Sequence, residues 1–142
     1  MDYAPVTPPK TFTLSEANAL LPEVRRLVEE LRILQRSILQ ASEQRDELAR
    51  KLAAGNGYPI QTLKAQMEET ALRQLKLIEE IQRILRALEG LGAVVKDLAE
   101  GLMDFYSVRG DALVFLCWKL GEDRIRFWHG LDEGFAGRRP LD

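Results

Sequence analysis

The chain has a single cysteine, Cys117, and a single histidine, His129, among 142 residues. One cysteine excludes an internal disulfide, and a reducing compartment is the expectation that goes with it. One cysteine and one histidine also fall short of the Cys/His spacing that marks a structural zinc site. No apolar run approaches the roughly 20 residues that a membrane-spanning helix needs. The first residues, Met1-Asp2-Tyr3-Ala4-Pro5, have neither the basic start nor the apolar stretch of an export signal. The expected location is therefore cytoplasmic. A charge excess of one sign is missing too. Residues 14–91 hold twelve Lys/Arg against twelve Asp/Glu, and residues 92–142 hold seven against nine. Phosphate neutralisation needs a basic stripe, so nucleic-acid binding is disfavoured despite the local group Arg25, Arg26, Arg32 and Arg36.

What the chain does have is helical periodicity. Hydrophobic residues make up 46% and charged residues 30%, a balance that suits a folded chain. Thr13-Leu14-Ser15-Glu16 reads as a capping box, with Phe12 before it as a staple against the first turn. Leu20, Val24, Leu27, Leu31, Leu34, Ile38, Ala41, Leu48 and Leu52 then follow at alternating spacings of four and three. Arg45 is the one polar interruption of this seam. Pro22 lies inside the pattern, where its missing amide would bend the helix near Ala17–Asn18 or split it.

The breaker Ala53-Ala54-Gly55-Asn56-Gly57-Tyr58-Pro59 ends this first segment. A second seam runs through Ile60, Leu63, Met67, Thr70, Gln74, Leu77, Ile81, Ile84, Leu88 and Leu91, with Thr70 and Gln74 polar at its middle. At 1.5 Å per residue this helix is about 48 Å long. It also carries a second apolar row, Ala71, Leu75, Ile78 and Leu85, about 100° around from the first. One partner helix cannot cover both rows. Either the C-terminal segment covers the second row or a second copy does, giving a homodimer.

After Gly90 the grammar changes to short β-branched and aromatic runs separated by Gly/Asp turns, the pattern of an antiparallel meander. Arg109-Gly110-Asp111 reads as one such turn rather than as an adhesive tripeptide. With Leu120 paired to Ile125, Leu116, Trp118 and Phe127 face the core and His129 sits at its edge. Cys117, Lys119, Arg126 and Trp128 then lie on the opposite, wetter side. A loop one residue longer or shorter reverses that parity. In the Leu120–Ile125 register Cys117 and His129 cannot act as a nucleophile–base pair. Asp97, Asp104, Asp111, Glu122 and Asp132 offer oxygen ligands for magnesium, but acidic residues at turns are ordinarily turn residues. The expected fold is therefore α+β and mainly α. It is one domain over 1–142, with an extended lead-in over 1–12, a coiled-coil-like helical hairpin over 13–91 turning at 53–59, and a β cap over 92–142.

Several segments resemble a bacterial family known only as domain of unknown function 2203. They are Phe12 to Pro22, Lys96-Asp97, Gly101 to Phe105, Leu116 to Glu122, Phe127-Trp128-His129 and Gly134 to Arg138. The resemblance implies a small bacterial cytoplasmic protein and brings no activity, cofactor or catalytic residue with it. Its signature residues lie at the hairpin base and in the cap. The candidate binding residues are accordingly Glu16, Asn18, Asp104, Trp118, Glu122, Trp128, His129 and Arg138, with no catalytic residue, metal or cofactor assigned. The first functional expectation is an oligomeric interaction or scaffold protein, and the reading leans away from an enzyme. The alternative is a small-ligand or anion-binding protein, or an enzyme, with His129 as acid–base and Arg138 as anion anchor.

Overall fold

A computed structural model describes residues 8–55 and 57–141. The part of the expected lead-in before residue 8, and Asn56 in the expected turn, lie outside the described residues. The architecture is two long helices packed against each other, followed by a five-stranded antiparallel sheet. The chain divides into two compact units, each with its own internal contacts. One is Met1–Val28 with Ala87–Asp142, and the other is Glu29–Arg86.

Helix α1 spans Leu14–Ala54 and α2 spans Ile60–Gly90. The capping box forms as expected: Thr13 N–H donates to Glu16 Oε1 at 2.8 Å, and Glu16 N–H donates to Thr13 Oγ1 at 3.1 Å. Pro22 is accommodated inside α1, which is not split. Gly55 and Gly57 take positive φ, 63° and 78°, at the end of α1.

Within Glu29–Arg86, Leu31, Ala41 and Leu48 of α1 are buried, as are Leu63, Thr70 and Ile84 of α2. The polar interruptions of the two seams meet. Gln74 donates to Ser42 Oγ at 3.0 Å and accepts from Arg45 at 3.2 Å, while Arg73 donates to Gln44. Thr70 is satisfied inside its own helix, its hydroxyl donating to Gln66 O at 2.8 Å. Polar groups paired across a seam in this way favour one register of the two helices.

In the other unit, strands β1 Val94–Asp97, β2 Leu102–Arg109, β3 Ala112–Lys119, β4 Phe127–Gly130 and β5 Arg139–Pro140 pair in sequence order. The Arg109-Gly110-Asp111 segment is the β2–β3 turn, as its composition suggests. One face of the sheet carries Met103, Phe105, Leu116 and Trp118, all buried. Phe12 meets Phe105 edge-on at 5.8 Å and Arg25 of α1 lies over Trp118. Phe12 does more than staple a first turn. Its N–H donates to Tyr106 O, its carbonyl accepts from Ser107 Oγ at 2.6 Å, and its ring fills the space beside Gly92. Gly92 has φ +94°, and a Cβ there would lie 2.3 Å from the Phe12 ring, so only glycine fits.

The β3–β4 register corrects the Leu120–Ile125 pairing. The observed pairs are Phe115 with His129, Leu116 with Trp128, and Cys117 with Phe127. This is a shift of one residue. Residues 120–126 leave the ladder because their hydrogen bonds go elsewhere. Trp118 Nε1 donates to Glu122 O at 3.0 Å, Lys119 N–H to Glu122 Oε1 at 2.8 Å, and Ile125 N–H to Asn18 Oδ1 at 2.8 Å. Ile125 is therefore drawn towards α1 instead of pairing with Leu120. The shift sends Trp128 to the Leu116 face and brings His129 to the Cys117 face.

Candidate functional site

The parity change creates a polar cluster in the middle of the sheet's second face. Asp104 on β2 lies opposite Cys117 on β3, and His129 on β4 lies opposite Phe115, two residues from Cys117. Opposed residues share a face, so three strands each contribute one group. Asp104 is 1% exposed, Cys117 0% and His129 2%. Their potential ligand atoms all lie within 4.8 Å of one another. His129 Nε2 is 3.1 Å from Asp104 Oδ1 and 3.0 Å from Oδ2, and its Nδ1 is 2.8 Å from Gly130 O.

Burial raises the Asp104 carboxyl above its ordinary range; His129, the Cys117 thiol and Lys96 oppose that rise. Burial also pushes the Cys117 thiol up to about 12, reinforced by the Asp104 charge. The thiol therefore stays protonated at neutral pH. The imidazole bonds to Asp104, and the Cys117 thiol acts on the same carboxyl, so Asp104 interacts with both of the other groups. An activated cysteine needs the imidazole next to the thiol and a lowered thiol pKa. The second condition fails, because the thiol is pushed up rather than down, so cysteine nucleophilic chemistry does not fit this arrangement.

Around the cluster, Lys96 Nζ is 4.0 Å from Asp104 Oδ2 and sits over the Phe115 ring. Lys96 lies at the bulge between Val95 and Asp97 on β1. Arg138 is sandwiched between Phe127 and Phe135, 4.0 and 4.5 Å from their centroids, and donates to Glu122 Oε2 at 2.6 Å. Both Arg138 and Glu122 act electrostatically on Cys117. The Arg138 Nε is buried and has no hydrogen-bond partner among the described residues.

The sequence-derived residues thus divide. Asp104 and His129 come together, and Glu122 with Arg138 forms an ion pair within electrostatic reach of Cys117. Glu16 serves the α1 cap, and Asn18 holds Ile125. Trp118 lies on the opposite face of the sheet. Trp128 has the guanidinium groups of Arg109 and Arg139 each 4.8 Å from its ring centroid. Cys117 and Lys96 were not among the candidates. The signal for Cys117 was present, but it depended on a register that spacing alone does not fix.

Three concavities among the described residues lie away from the cluster. A groove of about 690 Å³ on the hairpin is lined by interleaved charges such as Glu47, Lys51, Glu69 and Arg73. A smaller one of about 310 Å³ adjoins Thr13, Arg109 and Trp128. Neither reaches the cluster. Among the described residues no helix is long and apolar enough to cross a membrane.

A hairpin of two long helices followed by a five-strand meander, with these signature residues on its sheet, defines the class of protein. Residues 10–141 match the DUF2203 family, described as an uncharacterized conserved protein, and the chain belongs to that family. No curated protein and no solved structure matches the chain.

Proposed function

We propose that the chain is an oligomeric interaction protein that self-associates through α2, as a homodimer whose paired hairpins form a coiled-coil-like bundle. The observation that carries this reading is the second apolar row. With Leu63, Thr70, Ile84 and Leu88 of the first seam buried, Leu75 remains 56% exposed and Ile78 43% exposed, and Leu72 beside them is exposed too. Ala71 and Leu85 extend the row and are partly covered. An isolated exposed leucine needs no explanation, but a row at helical spacing does.

Charge supports a second copy as the occupant. Glu68 and Arg86 flank the row towards its two ends on one side of α2. Antiparallel pairing of two α2 helices about a twofold axis near Leu77 sets Glu68 of one copy by Arg86 of the other. Leu75 and Ile78 of both copies then meet between them, an isologous contact. Light scattering tests this. The expected mass is that of a dimer for the wild type and of a monomer for the double variant Leu75→Glu/Ile78→Glu. A wild-type monomer at micromolar concentration overturns the reading. A cytoplasmic location in a bacterium belongs to the same proposal, and the lone thiol suits a reducing compartment.

A second reading, a small-ligand or ion-binding protein with its site in the sheet, is favoured by the buried Asp104–Cys117–His129 cluster. Buried ionisable groups are costly unless they pair or hold a ligand.

A further inference from the structure

We infer that Asp104, Cys117 and His129 bind one divalent transition-metal ion of the zinc class. The inference deepens the second reading above and is independent of dimer formation through α2. Three observations support it.

The first is the donor set. A carboxylate, a thiol and an imidazole converge from three adjacent strands, with ligand atoms within 4.8 Å of one another. Sulfur with nitrogen selects borderline or soft ions such as zinc and cobalt(II), and discriminates against calcium and magnesium, which take oxygen. Three protein ligands leave one tetrahedral position for water or another small ligand.

The second is the orientation of the only imidazole. The carbonyl of Gly130 can only accept, so the hydrogen on His129 is on Nδ1. Nε2 then faces both oxygens of Asp104 at 3.0–3.1 Å. A bare nitrogen lone pair against a carboxylate is repulsive, so a positive centre must lie between them. A proton serves, and so does a metal ion. Anchoring the distal nitrogen to a backbone carbonyl is also how metal-binding histidines are held in one orientation.

The third is the charge balance. With Nδ1–H on Gly130 O, the contact between His129 Nε2 and Asp104 needs one proton, and a neutral Cys117 thiol carries another, so without a metal the three groups sum to zero. A divalent ion bound by carboxylate, thiolate and neutral imidazole also sums to zero. One metal ion replaces two protons, which leave to solvent, and no uncompensated buried charge results. Lys96 is the partly exposed member of the surroundings, 38% against 1% for Asp104. Swinging its ammonium away from Asp104 opens the way in for the ion.

The test is a cobalt(II) titration of the chelator-treated full chain, followed by absorbance. About one cobalt per chain should bind, with a thiolate-to-cobalt charge-transfer band in the near ultraviolet and the visible bands of a tetrahedral ion. Zinc should displace it. The near-isosteric Cys117→Ser variant should lose the charge-transfer band, and His129→Gln should weaken cobalt binding about 10-fold or more. Circular dichroism of each variant separates loss of a ligand from loss of the fold. If a variant does not fold, the wild-type spectrum still decides. A folded wild type without the charge-transfer band, or a Cys117→Ser variant that keeps it, overturns the assignment. The first result means that the cluster is only a proton-sharing structural network. It would also leave the dimer reading untouched, since that rests on α2 alone.

Discussion

The hairpin segment Glu29–Arg86 and the sheet unit handle polar residues in opposite ways. In the hairpin they are cheap and serve alignment. Gln74, Ser42 and Arg45 form an open layer across the seam, and the charged residues are solvated or locally paired. In the sheet unit a carboxylic acid, a thiol and an imidazole are placed where water does not reach, each within reach of the others. The lesson is where specificity resides. A hairpin seam tolerates substitution as long as its three-four spacing survives, whereas the sheet cluster depends on individual atoms.

That contrast can be broken in order of expected effect. His129→Ala leaves Asp104 buried without its partner and should cost about 3–5 kcal/mol in urea unfolding. A loss below about 1 kcal/mol would mean that the pair is dispensable. Gly92→Ala combines a positive φ with a collision against Phe12, and a loss of about 2–4 kcal/mol is expected from the thermal midpoint or urea curve. Thr13→Ala removes one arm of the capping box and should cost about 1 kcal/mol. Leu75→Glu/Ile78→Glu should change the fold of an isolated chain by no more than about 0.5 kcal/mol, as read in dilute protein, while abolishing self-association. Cys117 in the folded metal-free protein should resist a chromogenic thiol reagent at neutral pH and react once the chain is denatured. Rapid native labelling would show that the sheet face is open.

Much of this was legible in the sequence. The helices start and stop where the Thr13–Glu16 box and the Gly55–Gly57 breaker say, because capping and left-handed glycines are local effects. The seams followed from periodicity, and even the polar residues Arg45 and Gln74 proved to be partners. The sheet's strands and the Arg109-Gly110-Asp111 turn were legible for the same reason. The cluster was not, because which face His129 occupies depends on the path of residues 120–126. Asn18, more than a hundred residues earlier, and the Glu122 side chain set that path. A one-residue shift is invisible to alternation, yet it decides whether Cys117 and His129 meet. The short strand β5, pairing Pro140 with Phe127 and Arg139 with Trp128, gave no signal of its own, since proline disfavours a strand.

The central claim is that Asp104, Cys117 and His129 share one buried face, with His129 held by Gly130 and aimed at Asp104. Because the chain has one histidine, long-range proton–nitrogen NMR of the imidazole tests it without ambiguity of assignment. The account predicts that Nδ1 keeps its proton with and without zinc, while the Nε2 resonance moves to that of a metal-bound nitrogen when zinc is added. An imidazole exchanging between both tautomers in the folded protein, and unmoved by zinc, would contradict it.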